Sequence, residues 1–243
     1  MIEPRKDEQL AGPPWGVADF VLVMLTGFAG ALVAALLVLS IELEVAATVV
    51  IAALGMSLGH AAGLYAVLTR RSASLADLGF EVTSRDGAYV LLGAALQILM
   101  AIAMAPLAEL ADSDGTTQVV ADQIATADGL AIQIALVLLI GLVAPIMEEL
   151  AFRGILLQAA QRRSRPWIAV TVTAVVFSLF HWLGVDQSNV LAGLLTLIQL
   201  LIVGLVLGAL TVRQGRLGPA ILTHAGFNMV TLLLLFGTAS LPT

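Results

Sequence analysis

The sequence predicts an all-α, polytopic helical membrane bundle of about seven transmembrane helices. Three observations predict it. Hydrophobic residues make up 60% of the 243 positions and charged residues only 12%, against roughly 25% charged in an ordinary soluble domain. Mean hydropathy is +1.02. Apolar runs of about the 20 residues that a helix needs to cross a bilayer recur along the chain.

The elements follow in order. Residues 1–16 read as a cytoplasmic N-terminal tail of mixed charge. The run at 18–41 is too long for a signal-peptide core, and no small-residue cleavage site follows it, so it reads as a retained first span. Further spans are expected at 45–68, 88–108, 129–147, 166–184, 190–212 and 217–236. Residues 17–128 thus form the N-terminal transmembrane helices and loops, 129–236 the core, and 237–243 a C-terminal tail. Two connectors are polar, Arg70 to Gly87 and Ala111 to Asp128, the second an acidic, loose loop.

Charge sorts by side. Arg5, Lys6, Arg70, Arg71, Arg85, Arg162, Arg163, Arg165, Arg213 and Arg216 fall on one side of the seven-span arrangement. The other side carries Glu42, Glu44, Glu109, Asp112, Asp114, Asp122, Asp128 and Asp186, and no Lys or Arg. The positive-inside rule puts the N-terminus in the cytoplasm and the C-terminus outside, in a multi-pass plasma-membrane protein. The net charge of −6 argues against nucleic acid as a partner. The absence of cysteine removes disulfides, thiolate zinc sites and a thiol nucleophile.

Glycines mark packing faces: Gly55, Gly59 and Gly63 in the second span, Gly204 and Gly208 in the sixth. Three polar clusters stand out within the apolar runs. They are Glu148, Glu149 and Arg153; Phe177 and His181; and His224 and Asn228. Each contains an i, i+4 pair and therefore shares one helix face. Glu149 and Arg153 make a natural ion pair, which leaves Glu148 as the free carboxylate. A charge near the bilayer centre costs roughly 2.5–3.5 kcal/mol on insertion scales, so such a set points to function. A lone His60 in the second span reads as interhelical glue.

The turn at Arg162–Pro166 serves as a ruler. Glu149 lies 16 residues before Arg165 and His181 lies 16 after it. At 1.5 Å per residue both sit roughly 20–24 Å from the turn, if the Glu-bearing helix runs straight from about Pro145. Asn228 is at a similar depth from the Gly215 turn, and His224 one turn shallower. Glu with His can take a proton from water, creating a nucleophile for an amide carbonyl. A second His and an Asn can donate hydrogen bonds to the resulting oxyanion. HExxH is absent, and none of the residues in the three clusters is a serine. Glu148, His181 and His224 also form a candidate zinc-ligand set. A proton-coupled transporter and a catalytically silent scaffold are the alternative functions.

At these residues the sequence resembles the CAAX-processing and bacteriocin-processing (CPBP, or Abi) intramembrane proteases. EELAFR fits the family's EExxxR, FSLFH its FxxxH, and HAGFN its HxxxN, in the family's order, over about residues 129–236, so the resemblance implies a catalytic core formed by the last four helices. The resemblance implies an endopeptidase acting on membrane-associated proteins or peptides, including prenylated tails. It implies that Glu148 and His181 activate water and that His224 and Asn228 hold the oxyanion, with Glu149, Arg153 and Phe177 in support. It favours a mechanism without a cofactor, zinc being the alternative. The ruler places the carboxylates toward the outer half, whereas the prenyl-trimming relatives act on cytoplasmic tails.

Overall fold

The computed structural model describes residues 15–110, 127, 129–185 and 188–239. Most of the expected N-terminal tail, nearly all of the acidic 111–128 loop, Asp186 and the tail from residue 240 lie outside the described residues. Among the described residues there are seven main helices and no strand: α1 Val17–Val38, α2 Val45–Arg71, α3 Ala88–Leu110, α4 Leu130–Gln161, α5 Pro166–Phe180, α6 Val190–Gln214 and α7 Gly218–Ala239. All but α5 are long and apolar enough to cross a membrane, and the chain is a multi-pass membrane protein. Its outer surface is correspondingly apolar, with Leu25, Leu37, Leu91, Ile102 and Leu233 exposed. Hydrocarbon is the solvent there, and outward leucine costs nothing.

Two expectations about helix limits are corrected. The span expected at 166–184 is a helix of 15 residues, about 22 Å long, followed by a 3-10 turn at His181–Gly184. The backbone N–H of His181 turns to the Ser178 carbonyl. The Phe177 carbonyl, freed by that shift, accepts from the His181 ring at Nδ1, 2.8 Å away. The helix ends because its last residue caps it. The span expected to end at 147 instead continues to Gln161, so Pro145 lies inside a long helix and not at the start of one. That helix widens into π-turns at Leu139–Val143 and Leu150–Leu157, on either side of the two glutamates. A ruler built on one straight regular helix therefore does not hold through α4.

Glycine sets how closely the helices approach. In α2, a side chain at Gly55, Gly59 or Gly63 would overlap Gly30 or Thr26 of α1. In α6, Gly204 and Gly208 receive Ala174 and Val170 of α5. Gly93 of α3 faces the Thr223 carbonyl of α7, and Gly226 of α7 faces the Val90 carbonyl of α3. These last two contacts bracket His224. Aromatic rings fill the centre: Phe152 of α4 meets Phe20, Phe177 and Phe180 edge-on, with centroids 4.9, 5.1 and 5.7 Å away.

The basic ends of the helices are tied together. Asp19 is buried in the first turn of α1, accepts from the Gly16 N–H at 2.9 Å, and pairs with Arg71 at the end of α2 at 2.7 Å. The connector between α2 and α3 reaches across to the last hairpin. Gly79 and Glu81 offer their carbonyls to the N–H groups of Leu217 and Gly218 at 2.8 and 3.1 Å, satisfying donors at the start of α7 that have no partner within the helix. Arg216 binds Asp86 through two nitrogens, with Nη2 at 2.7 Å from Oδ1. Leu78 packs against Gly154 of α4.

Candidate active site

The two glutamates end the short regular stretch of α4 between its π-turns. Glu149 is fully buried and Arg153 nearly so. They form the ion pair expected from their i, i+4 spacing, with Arg153 Nη1 2.8 Å from Glu149 Oε1. Arg153 has two further supports. Its Nη2 donates to the Gly204 carbonyl of α6 at 3.2 Å, and its guanidinium lies 4.6 Å over the Phe177 ring. The missing side chain at Gly204 thus does two things: it lets α5 close on α6 and leaves a carbonyl open to a cation.

His224 of α7 stands between the two carboxylates. Its Nδ1 lies 3.1 Å from Glu149 Oε1, and its Nε2 lies 3.8 Å from Glu148 Oε2. An ion-paired carboxylate accepts only, so Nδ1 carries the proton and Nε2 faces Glu148. Glu148 is the more open of the two acids, with its side chain 23% exposed against 0% for Glu149. The ring of Phe177 lies against both imidazoles, 4.8 Å from His181 and 5.8 Å from His224 between centroids. The carbonyl of that same residue fixes His181 Nδ1 as the protonated nitrogen, leaving Nε2 of the neutral ring as an acceptor. Asn228 lies one turn beyond His224 on α7 and donates from Nδ2 to the Ile140 carbonyl of α4 at 3.0 Å. The three polar clusters therefore meet through Glu149, His224 and Phe177.

Among the described residues no three His, Asp or Glu side chains are grouped as metal ligands would be. Glu148, His181 and His224 do not converge in that way. His60 of α2 is buried, with its ring seated where a side chain at Gly27 of α1 would stand, which is the interhelical packing place expected of it. Beside the His181 turn, Phe28, Val176, Leu179 and Phe180 line an apolar groove of about 360 Å³ between α1 and α5.

Comparison with known proteins agrees with the motif resemblance. Residues 130–230 match the family model described as type II CAAX prenyl endopeptidase Rce1-like. That segment runs from the start of α4 into α7 and contains the three motifs. The match is consistent with the CPBP/CAAX protease family. An "Uncharacterized 24.3 kDa protein" of Escherichia coli is 35% identical over 102 residues, which span 41% of this chain and 43% of that protein. No solved structure matches the chain.

Proposed function

We propose, from the premise that residues 130–230 form a core of the type II CAAX endopeptidase kind, that this chain is an intramembrane endopeptidase. It hydrolyses peptide bonds of membrane-associated proteins, with prenylated-type tails as one substrate class. The observation that carries the reading is the position of His224, held by one buried glutamate and facing a second, more open one.

Each site residue then has a role. Glu148 and the Nε2 of His181 take the proton of the attacking water and return it to the amide nitrogen, which leaves as the amine when the C–N bond breaks. Glu149, neutralised by Arg153, holds His224 by Nδ1, so a proton gained at Nε2 makes that nitrogen a donor toward the oxyanion. Asn228 Nδ2 has two N–H groups, and the one not given to Ile140 is the second donor. Phe177 keeps the two imidazoles and the guanidinium in place. The groove beside His181 suits an apolar portion of the substrate. No metal is needed in this scheme. The N-terminus lies in the cytoplasm and the C-terminus outside, by the distribution of arginine.

The test compares host membranes that carry wild-type protein or Glu148→Gln at equal levels, by mapping new peptide N-termini. New ends that depend on Glu148 are expected, and their positions name the substrates. Identical maps across growth and stress conditions sink the proposal. Cleavage that a chelator abolishes and zinc restores would replace the metal-free scheme.

A further inference from the structure

Within the π-turn at Leu139–Val143, the N–H of Ala144 reaches back five residues to the Leu139 carbonyl. In that same register the Ile140 carbonyl takes the N–H of residue 145. Residue 145 is proline and has no N–H. The α-helical donor to Ile140 is Ala144, already committed to Leu139. The break thus leaves the Ile140 carbonyl, in the middle of a membrane helix, without a main-chain partner in either register, a strongly unfavourable state in hydrocarbon. The Nδ2 of Asn228 occupies the donor position, 3.0 Å from Ile140 O.

We propose that Asn228 stands in for the main-chain donor that Pro145 lacks, and that this bond is a latch pinning α7 to α4. The latch makes Asn228 a positioning residue for His224. The two are four residues apart on one face of α7. Fixing Asn228 at Ile140 sets the height and rotation of α7, which places His224 Nδ1 on Glu149. Proline before the glutamates and asparagine after the histidine then form one device: the first opens a carbonyl and the second closes it. The latch stands on backbone geometry alone, and its consequence for catalysis rests on the peptidase reading.

A double-mutant cycle tests it on the purified full chain in detergent, with wild type, Asn228→Leu, Pro145→Ala and the double variant. Leucine matches asparagine in shape and offers no donor. Asn228→Leu is expected to lower Tm by about 2–8 °C, the effect of an orphaned buried carbonyl. With Pro145→Ala, residue 145 regains its N–H, and Asn228→Leu then costs less than a third as much. An equal Tm loss in both backgrounds overturns the latch. So does an unchanged Tm for Asn228→Leu alone, a result that does not depend on the Pro145 variant folding. Cleavage at saturating substrate is read on the same proteins. A tenfold or greater recovery from Asn228→Leu to the double variant supports positioning of His224. No recovery overturns the positioning role and leaves Asn228 as an oxyanion donor only. Failure of the peptidase reading shows separately, as absence of cleavage by the wild type, while the Tm cycle still judges the latch.

Discussion

In the α1–α2 hairpin, backbone lies on backbone: Gly55, Gly59 and Gly63 of one helix fit against Gly30 and Thr26 of the other. In α4 the decisive contacts run from side chain to backbone or from charge to charge, around two π-turns. The hairpin keeps its main-chain bonds regular and gains its packing by removing side chains. Helix α4 gives up regular main-chain bonding, and at Ile140 a side chain of α7 takes the carbonyl. His181 repairs the Phe177 carbonyl at the end of α5 in the same way that Asn228 repairs Ile140. Glu148 and Glu149 lie between two π-turns and His181 at a helix end, places where helices are interrupted, and π-turns are frequent at functional sites.

The largest effect that would break this comparison is on activity. Glu148→Gln should lower cleavage by about 10²–10⁴-fold while the purified protein keeps its Tm, and near-normal turnover would return α4 to a structural part. Next, Arg153→Leu leaves Glu149 buried without its cation and should cost about 3–5 kcal/mol in a denaturation series. The Glu149→Leu, Arg153→Leu double variant should recover most of that loss and still fail to cleave. In the hairpin, Gly59→Ala drives a methyl into the Thr26 carbonyl and should cost about 1–3 kcal/mol, with the cleavage rate per folded molecule held within a few-fold. A collapse of that rate at unchanged stability would show that the regular hairpin also takes part in the chemistry, with His60 the residue to examine. The smallest effect is at the basic end, where Arg216→Gln loses a half-buried pair with Asp86 and should cost about 1–2 kcal/mol of stability.

Much of this was legible in the sequence. Spans of 20 or more apolar residues follow from bilayer thickness, and six of the expected helices fall within a few residues of their places, apart from the extra turns of α4. The Glu149–Arg153 pair follows from i, i+4 spacing, whereas the place where His224 meets that pair could not be counted from the turns, because α4 is not one straight regular helix. What could not be read is where helices break. No residue type marks a π-turn, and Pro145 fits a helix start as well as a mid-helix interruption. The end of α5 at Phe180 depends on the His181 ring taking a carbonyl, a competition within the helix that hydropathy does not register. Gly204 reads as a packing glycine, and only in three dimensions does its carbonyl meet Arg153.

The clasp at the basic end bears on how the molecule can be divided. The family-like segment begins at residue 130, but its last hairpin receives two main-chain acceptors from Gly79 and Glu81 and an anion from Asp86. Gly154 of α4 rests on Leu78. Cut before residue 130, the core would keep every motif and lose the groups that close its underside. It is thus not a portable cassette. A graft of this site onto another scaffold, or a minimal version made for study, has to bring residues 78–86 with it, either in the same chain or as a second fragment expressed alongside.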